Sequence, residues 1–127
     1  MPTPHEQAQA DLTAYGLALP ETDLVPGGWA DTRYLRVRGK GFAVLGDTSH
    51  DALTLTIKLP ISYEMVQDLP FVRQGSPWYR QNRWAIAHFG PEDDILAEMD
   101  TLKGWLRQSY VAMAPKRLGR LLTESGA

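Results

Sequence analysis

The chain has 127 residues, 43% of them hydrophobic, with a formal net charge of −2 and no cysteine. This size and composition fit one domain with its own core, and the lack of cysteine excludes disulfides and thiolate metal sites. The first residues lack the basic and apolar regions of a signal peptide, and no apolar run approaches the roughly 18 residues of a membrane span. We therefore expect a cytoplasmic protein that does not enter a membrane.

The charged residues are segregated along the chain. Residues 33–40 and 73–83 contain basic residues and no acid, whereas residues 92–100 contain acids and no base. The mildly acidic total argues against a dedicated nucleic-acid binder, because such proteins are usually basic. A near-neutral total is nevertheless compatible with a local positive surface.

The N-terminal residues predict one helix followed by a loop. Thr3 can cap the helix, Pro4 suits its first position, and Glu6 completes a capping box. Apolar residues at helical spacing follow, and Gly16 is expected to end the helix. Residues 19–28 are then expected to form a loop.

Three strands are predicted between residues 33 and 59. Residues 33–37 alternate between polar and apolar side chains, and Gly39-Lys40 is expected to form a tight turn into the partner strand 41–45. A polar turn over residues 46–51 leads to the strand 53–59. Leucine and isoleucine occupy one face of that strand, and the other face carries Thr54, Thr56 and Lys58.

The second half predicts a helix, a strand pair and a final helix. Ser62 can cap a short helix that ends at Pro70 and turns Met65, Val66 and Leu69 inward. Strands are expected near residues 71–74 and 83–89.

The last helix is expected after Pro91, with Glu92, Asp93 and Asp94 in its first turn, where the helix dipole favours acids. Its buried stripe would contain Ile95, Met99, Leu102, Leu106 and Met113, with Trp105 and Tyr110 beside it. Pro115 is expected to end or kink this helix, residues 117–122 to add one more turn, and the tail 123–127 to fray.

These elements predict a single α+β domain over residues 1–127, in the order α-β-β-β-α-β-β-α. An antiparallel sheet with helices on one face satisfies both hydrophobic periodicities. The other face would be partly open, and by alternation it would carry Tyr34, Arg36, Arg38, Thr54, Thr56 and Lys58.

Several short motifs occur in a fixed order over residues 12–122. They are Leu19-Pro20-Glu21, Gly39-Lys40 before Phe42-Ala43, Lys58 near a strand end, Pro77-Trp78-Tyr79 before Trp84, and Ser109-Tyr110 before Pro115-Lys116-Arg117. Together they resemble the YjbR/MmcQ family of small bacterial proteins, which are largely of unknown function. The resemblance implies an α+β fold similar to secretion-chaperone-like and frataxin-like architectures. Family members are often labelled DNA-binding, which is a fold-level inference and fixes no activity.

A basic patch with neighbouring aromatic residues is the strongest candidate site. Phosphates could be held by Arg36, Arg38, Lys58, Arg80 and Arg83. Rings or bases could stack on Trp78, Tyr79 and Trp84. The structural alternative is a solvated strand face that discourages edge pairing, with the aromatic residues filling the core.

We find no catalytic constellation, cofactor motif or metal site in the sequence. The three histidines are far apart, and no spacing of ligands supports zinc. Ser109 has no histidine close in sequence, so a structural role for Ser109-Tyr110 is favoured.

Two functions follow as hypotheses. The first is a non-enzymatic binding domain whose basic open sheet face takes nucleic acid or a phosphate-bearing ligand. The alternative is a protein-interaction adaptor or chaperone-like homodimer that uses exposed aromatic residues in loops, namely Trp29, Trp78 and Tyr79.

Overall fold

A computed structural model describes residues 3–27, 32–49 and 51–124. The strands are β1 (Thr22–Pro26), β2 (Arg33–Val37), β3 (Lys40–Ser49), β4 (Ala52–Lys58), β5 (Val72–Arg73) and β6 (Trp84–Phe89). The helices are α1 (Pro4–Leu17), α2 (Pro77–Gln81), α3 (Met99–Met113) and α4 (Lys116–Glu124), with a 3₁₀ helix over Ile95–Glu98. The strands of the described residues form one antiparallel sheet in the order β1-β2-β3-β4-β6-β5. This architecture confirms the predicted α+β class.

Helix α1 begins as predicted. The Thr3 hydroxyl accepts a hydrogen bond from the Glu6 N–H at 3.2 Å, and the Thr3 N–H donates to the Glu6 carboxylate at 2.9 Å. The helix continues one residue past Gly16, its predicted end. Gly16 instead provides a close contact with the sheet, because a Cβ there would lie 2.6 Å from Leu35 Cδ1.

Strand β1 corrects the prediction of a loop over residues 19–28. Leu24 pairs with Leu35 and Val25 with Tyr34, so this segment adds an edge strand to the sheet. Leu24 and Val25 favour extended backbone, and Pro26 is tolerated because it ends a strand at the sheet edge. The strand was hard to predict because its apolar residues Leu24 and Val25 are adjacent and both half-buried, so they do not alternate with polar residues.

The β2–β3 turn lies one residue earlier than predicted. Val37 pairs with Lys40, so the turn consists of Arg38 and Gly39 instead of Gly39 and Lys40. Their φ angles are 49° and 85°, the positive values that a type I′ hairpin turn requires at both central residues. Arg38 therefore lies in the turn, and its predicted position on the open sheet face is wrong.

A β-bulge in β3 connects the sheet to α3. Leu35 pairs with Ala43 and Arg36 with Gly41, which leaves Phe42 as the additional residue. The buried Ser109 hydroxyl donates a hydrogen bond to the Phe42 carbonyl. Ser109 thereby pairs a main-chain acceptor that faces α3, which gives it a structural role.

The predicted alternation of β4 is confirmed. Leu53, Leu55 and Ile57 are fully buried, whereas the residues between them are half-buried. The predicted pairing of a strand near residue 72 with the strand from Trp84 is also confirmed, although β5 has only two residues.

The helix predicted over residues 62–70 is not formed. The segment is a series of turns, and its backbone mixes bonds four residues apart, such as Val66 N–H to Ser62 C=O, with bonds three residues apart. Gln108 on α3 holds its start, since its side-chain oxygen accepts from the N–H groups of Ile61 and Ser62 at 3.1 Å each. Met65, predicted to point inward, is 72% exposed.

Helix α3 starts later than predicted. Glu92, Asp93 and Asp94 precede the 3₁₀ helix, and the Asp93 carboxylate accepts a hydrogen bond from the Gly90 N–H at 2.7 Å. These acids therefore stabilise a turn and do not form the first turn of the long helix. The predicted buried stripe is confirmed for Ile95, Met99, Leu102 and Leu106, and Met113 packs partly buried beside it. Helix α4 includes residues 123 and 124 of the predicted frayed tail, and residues 125–127 lie outside the described ranges.

The two faces of the sheet differ in their covering. Helices α1 and α3 pack against one face and bury the core, as predicted. The short helix α2 lies at the other face, which the sequence predicted to be open. None of the described helices combines the length and the apolar composition needed to cross a membrane.

Candidate ligand-binding site

A pocket of about 450 Å³ lies on the face of the sheet opposite α1 and α3. We call it the sheet-face pocket. Its walls are formed by Thr32, Tyr34, Gly41, Val44, Gly46, Thr54, Thr56, Trp78, Tyr79, Trp84 and Ile86. The pocket therefore joins residues of β2, β3, β4, β6 and α2 that are far apart in the sequence.

The strand register places the floor of the pocket. Tyr34 lies opposite Val44, Val44 opposite Thr56, and Thr56 opposite Ile86, which gives one row of side chains across four strands. Gly41 and Gly46 lie to either side of Val44 on β3 and carry no side chain. Because these two residues are glycines, the middle of the sheet face is hollow.

Helix α2 supplies the cover of the pocket. The Trp78 ring meets the Tyr79 ring edge-on, with centroids 5.3 Å apart and planes at 88°. Trp78 also stacks on Trp84, with centroids 6.4 Å apart and planes at 29°. The absence of a side chain at Gly75 permits this arrangement, because a Cβ there would lie 2.9 Å from the Tyr79 Cβ.

The pocket wall is apolar and aromatic with a few hydroxyl groups. The Thr54 hydroxyl is 2.8 Å from His88 Nδ1 and is hydrogen-bonded to it. Within the described residues, the Tyr34 and Thr56 hydroxyls and the Trp84 indole N–H have no hydrogen-bond partner. No charged side chain is among the lining residues. Such a site can hold a ring by stacking and orient it through hydrogen bonds.

The aromatic residues predicted for the site are brought together. Trp78, Tyr79 and Trp84 all line the sheet-face pocket. The structural alternative, in which they fill the core, does not describe them, because Trp78 is 58% exposed and the other two are half-buried. Trp29, named in the protein-interaction hypothesis, lies outside the described residues.

Two of the predicted basic residues are engaged by acids at the β1 edge. The Arg36 guanidinium donates to both carboxylate oxygens of Asp23, at 3.0 and 2.6 Å. This hydrogen bonding lowers the pKa of the Asp23 carboxyl and raises the pKa of Arg36. Arg38 lies 3.7 Å from the Glu21 carboxylate. An incoming phosphate would have to compete with these carboxylates.

The remaining predicted cations lie around α2 and the end of β4. Arg83 follows α2 with a φ of 58°, and its side chain is 4.0 Å from the Glu64 carboxylate. Arg80 is exposed on α2 itself. Lys58 lies opposite Trp84 in the β4–β6 register. The five predicted cations thus do not converge on one point, and none of them is a lining residue of the pocket.

Sequence reasoning missed the enclosure of this face. Alternation predicts Tyr34, Thr54 and Thr56 on the open face, but the prediction does not include helix α2 above them. The pair Ser76-Pro77 carried the signal for it, since Ser is a frequent helix cap and Pro a frequent first residue. The sequence does not predict the other lining residues of the sheet, because only the strand register brings them together; they are Gly41, Val44, Gly46 and Ile86.

The described residues outside the sheet-face pocket offer no metal site, and Tyr110 and Ser109 have structural roles. They contain no group of three or more His, Asp or Glu side chains that could hold a metal ion. The Tyr110 hydroxyl donates to the Pro20 carbonyl at 2.7 Å, and burial raises its pKa. Tyr110 and Ser109 therefore connect α3 to its neighbours.

Comparison with models of known protein families found no match, and comparison with curated proteins found none either. Membership of the YjbR/MmcQ family stays a prediction from the motifs.

Proposed function

We propose that this protein is a binding domain whose sheet-face pocket takes a small molecule with a flat, apolar ring system. The observation that carries the proposal is the pocket of about 450 Å³, walled by aromatic rings and hydroxyl groups without a charged lining residue. Sites for small molecules are typically concave, mostly apolar and about 300–1,000 Å³ in volume, with a few polar groups.

The aromatic residues favour a ring over an alkyl chain. Trp78 stacks on Trp84 with planes at 29° and meets Tyr79 edge-on, and these are the two arrangements that aromatic pairs prefer. The hydroxyls of Tyr34 and Thr56 provide donors or acceptors at the floor. A ligand in this position would be stacked from the side of α2 and oriented from the sheet.

The proposal can be tested with N-phenyl-1-naphthylamine, a neutral aromatic probe whose emission rises in apolar surroundings. A Kd of about 200 µM or tighter is expected from roughly 0.3 kcal/mol for each non-hydrogen atom. Val44→Trp should fill the pocket and weaken binding by about fivefold or more, since overpacking costs about 1–3 kcal/mol.

The matched control is Met65→Trp, which adds the same side chain at a position that is 72% exposed and outside the pocket. Both variants should keep the far-UV circular dichroism of the wild type. A wild-type protein that leaves the probe emission unchanged, or equal binding by Val44→Trp and wild type, would overturn the proposal.

The outer side of α2 favours a second candidate, single-stranded nucleic acid. Trp78 is 58% exposed and Arg80 is exposed on the same short helix. Within the described residues, Arg80 and Lys58 have no carboxylate at ion-pair distance. Exposed aromatic rings with nearby cations suit bases and phosphates, respectively.

Fluorescence anisotropy with labelled oligo(dT) at about 50 and 200 mM salt tests this candidate, because phosphate contacts weaken strongly over that range. Micromolar binding that falls with salt, and falls further in Arg80→Gln, is expected for a nucleic-acid binder. Lys103→Gln removes one charge from α3 and is the control. The absence of binding at 50 mM salt would exclude this candidate.

A further inference from the structure

Lys58 lies on the same sheet face as the pocket, just beyond its lining. Along β4, half-buried Thr54, Thr56 and Lys58 alternate with buried residues, and the two threonines line the pocket. Lys58 pairs with Trp84, whose ring also lines it. Lys58 thus occupies the next position on this face of β4 after Thr56, which lines the pocket.

The surroundings of Lys58 leave its charge available. The guanidinium groups of Arg36, on the same sheet, and of Arg83, next to Trp84, have Asp23 and Glu64 at 2.6 and 4.0 Å. No carboxylate of the described residues lies within the 4.0 Å ion-pair distance of Lys58, and no acid lines the pocket. An anionic group at this end would meet the charge of Lys58 with no carboxylate of the described residues paired to it, and a half-buried pair is screened less by salt than an exposed one.

We infer that the ring ligand carries an anionic oxygen group, a carboxylate or a phosphate, which binds Lys58 while the ring occupies the sheet-face pocket. This inference rests on the proposed function and adds the class of ligand to it. Flat aromatic acids and small aromatic phosphate esters both have the required chemistry.

Displacement of N-phenyl-1-naphthylamine by ligands of one ring system tests the inference. The competitors are 1-naphthol, 1-naphthoate and 1-naphthyl phosphate, which share the naphthalene ring and differ in charge. Either or both anions should displace the probe at about tenfold lower concentration than naphthol, the effect of one charge-assisted hydrogen bond. The tighter of the two anions identifies the group as a carboxylate or a phosphate.

Lys58→Gln should remove this preference and leave the affinity for naphthol within about twofold, whereas Lys58→Arg should retain it. Lys103→Gln, which removes the same charge from α3, should change nothing. Equal displacement by naphthol and both anions, unaffected by Lys58→Gln, would overturn the inference and leave the proposed function standing. A probe that does not bind at all would overturn both.

Discussion

The indole rings of Trp78 and Trp84 stack with centroids 6.4 Å apart and planes inclined by 29°. Trp78 belongs to α2 and Trp84 to β6, so this contact attaches the short helix to the sheet. No residue of α2 is buried. The position of α2 over the pocket therefore depends on aromatic contacts more than on packing in the core.

Removing the Trp78 ring should weaken ligand binding. We expect Trp78→Ala to raise the Kd of N-phenyl-1-naphthylamine by about three- to tenfold, since one aromatic contact contributes about 0.5–1.5 kcal/mol. Trp78→Phe keeps a ring and should lose less than half of that free energy. Titration of the probe with each variant measures the difference, and an unchanged Kd for Trp78→Ala would contradict a role of α2 in the site.

Two glycines in helices should respond to alanine in opposite directions. Gly16→Ala should lower the free energy of unfolding by about 1 kcal/mol, because its Cβ would meet Leu35 Cδ1 at 2.6 Å and the overpacking exceeds the gain in helix propensity. A Cβ at exposed Gly104 in α3 meets nothing within 4 Å, so Gly104→Ala should raise the free energy of unfolding by about 0.8–1 kcal/mol. Urea unfolding of both variants checks the pair, and the same sign for both would contradict the packing of α1 on β2.

The turn at Arg38 should prefer asparagine. Arg38 has a φ of 49°, which asparagine tolerates better than arginine, and its contact with Glu21 is exposed and contributes little. Arg38→Asn should therefore stabilise the protein by about 0.5–1 kcal/mol. Arg38→Val should destabilise it, since a β-branched residue is strained at positive φ. Thermal unfolding distinguishes the two, and a less stable Arg38→Asn would argue against the turn as described.

The ion pair between Arg36 and Asp23 should give a measurable pH dependence. The hydrogen bonds from Arg36 lower the pKa of Asp23 below its ordinary value of 3.8 in the folded protein. The unfolded chain therefore binds the proton more readily, so the contribution of the pair to stability is present above pH 3.8 and is lost as the pH falls through the folded pKa.

An NMR titration of the Asp23 carboxyl carbon measures that pKa directly. We expect a midpoint below 3.8 in the wild type and a return towards 3.8 in Arg36→Gln. Arg73→Gln, on the opposite edge strand, should leave the midpoint unchanged. An identical midpoint in Arg36→Gln and wild type would show that the pair does not persist in solution.

The elements with strong periodicity could be predicted from the sequence. Three local patterns in the sequence are retained in the tertiary structure. They are the capping box at Thr3, the alternation of β4 and the apolar stripe from Ile95 to Leu106. The segment 62–70 shows where local rules fail. Its apolar spacing fits a helix, but hydrogen bonds from Ile61 and Ser62 to Gln108 on α3 hold an irregular chain instead.

Only part of the candidate site could be predicted from the sequence, for a similar reason. Trp78, Tyr79 and Trp84 are close in sequence, which predicts them as one group, and the pocket joins them. The floor around Val44 depends on the pairing of β3 with β2 and β4, a non-local register that one sequence does not contain. Alternation groups Arg36, Arg38 and Lys58 on one sheet face, but the pairing of Arg36 with Asp23 depends on strand β1, which the sequence does not predict.

The most direct test of the central claim is a ¹H–¹⁵N NMR titration of the protein with 1-naphthol. We predict shifts confined to the sheet-face pocket, at the amides of Val44, Thr56 and Ile86 and at the indole N–H of Trp84. The exposed apolar side chains of Ile61, Met65 and Val111, outside the pocket, provide the internal comparison. Shifts that cluster at those exposed residues, or no shifts at millimolar naphthol, would contradict a ring-binding site on the sheet face.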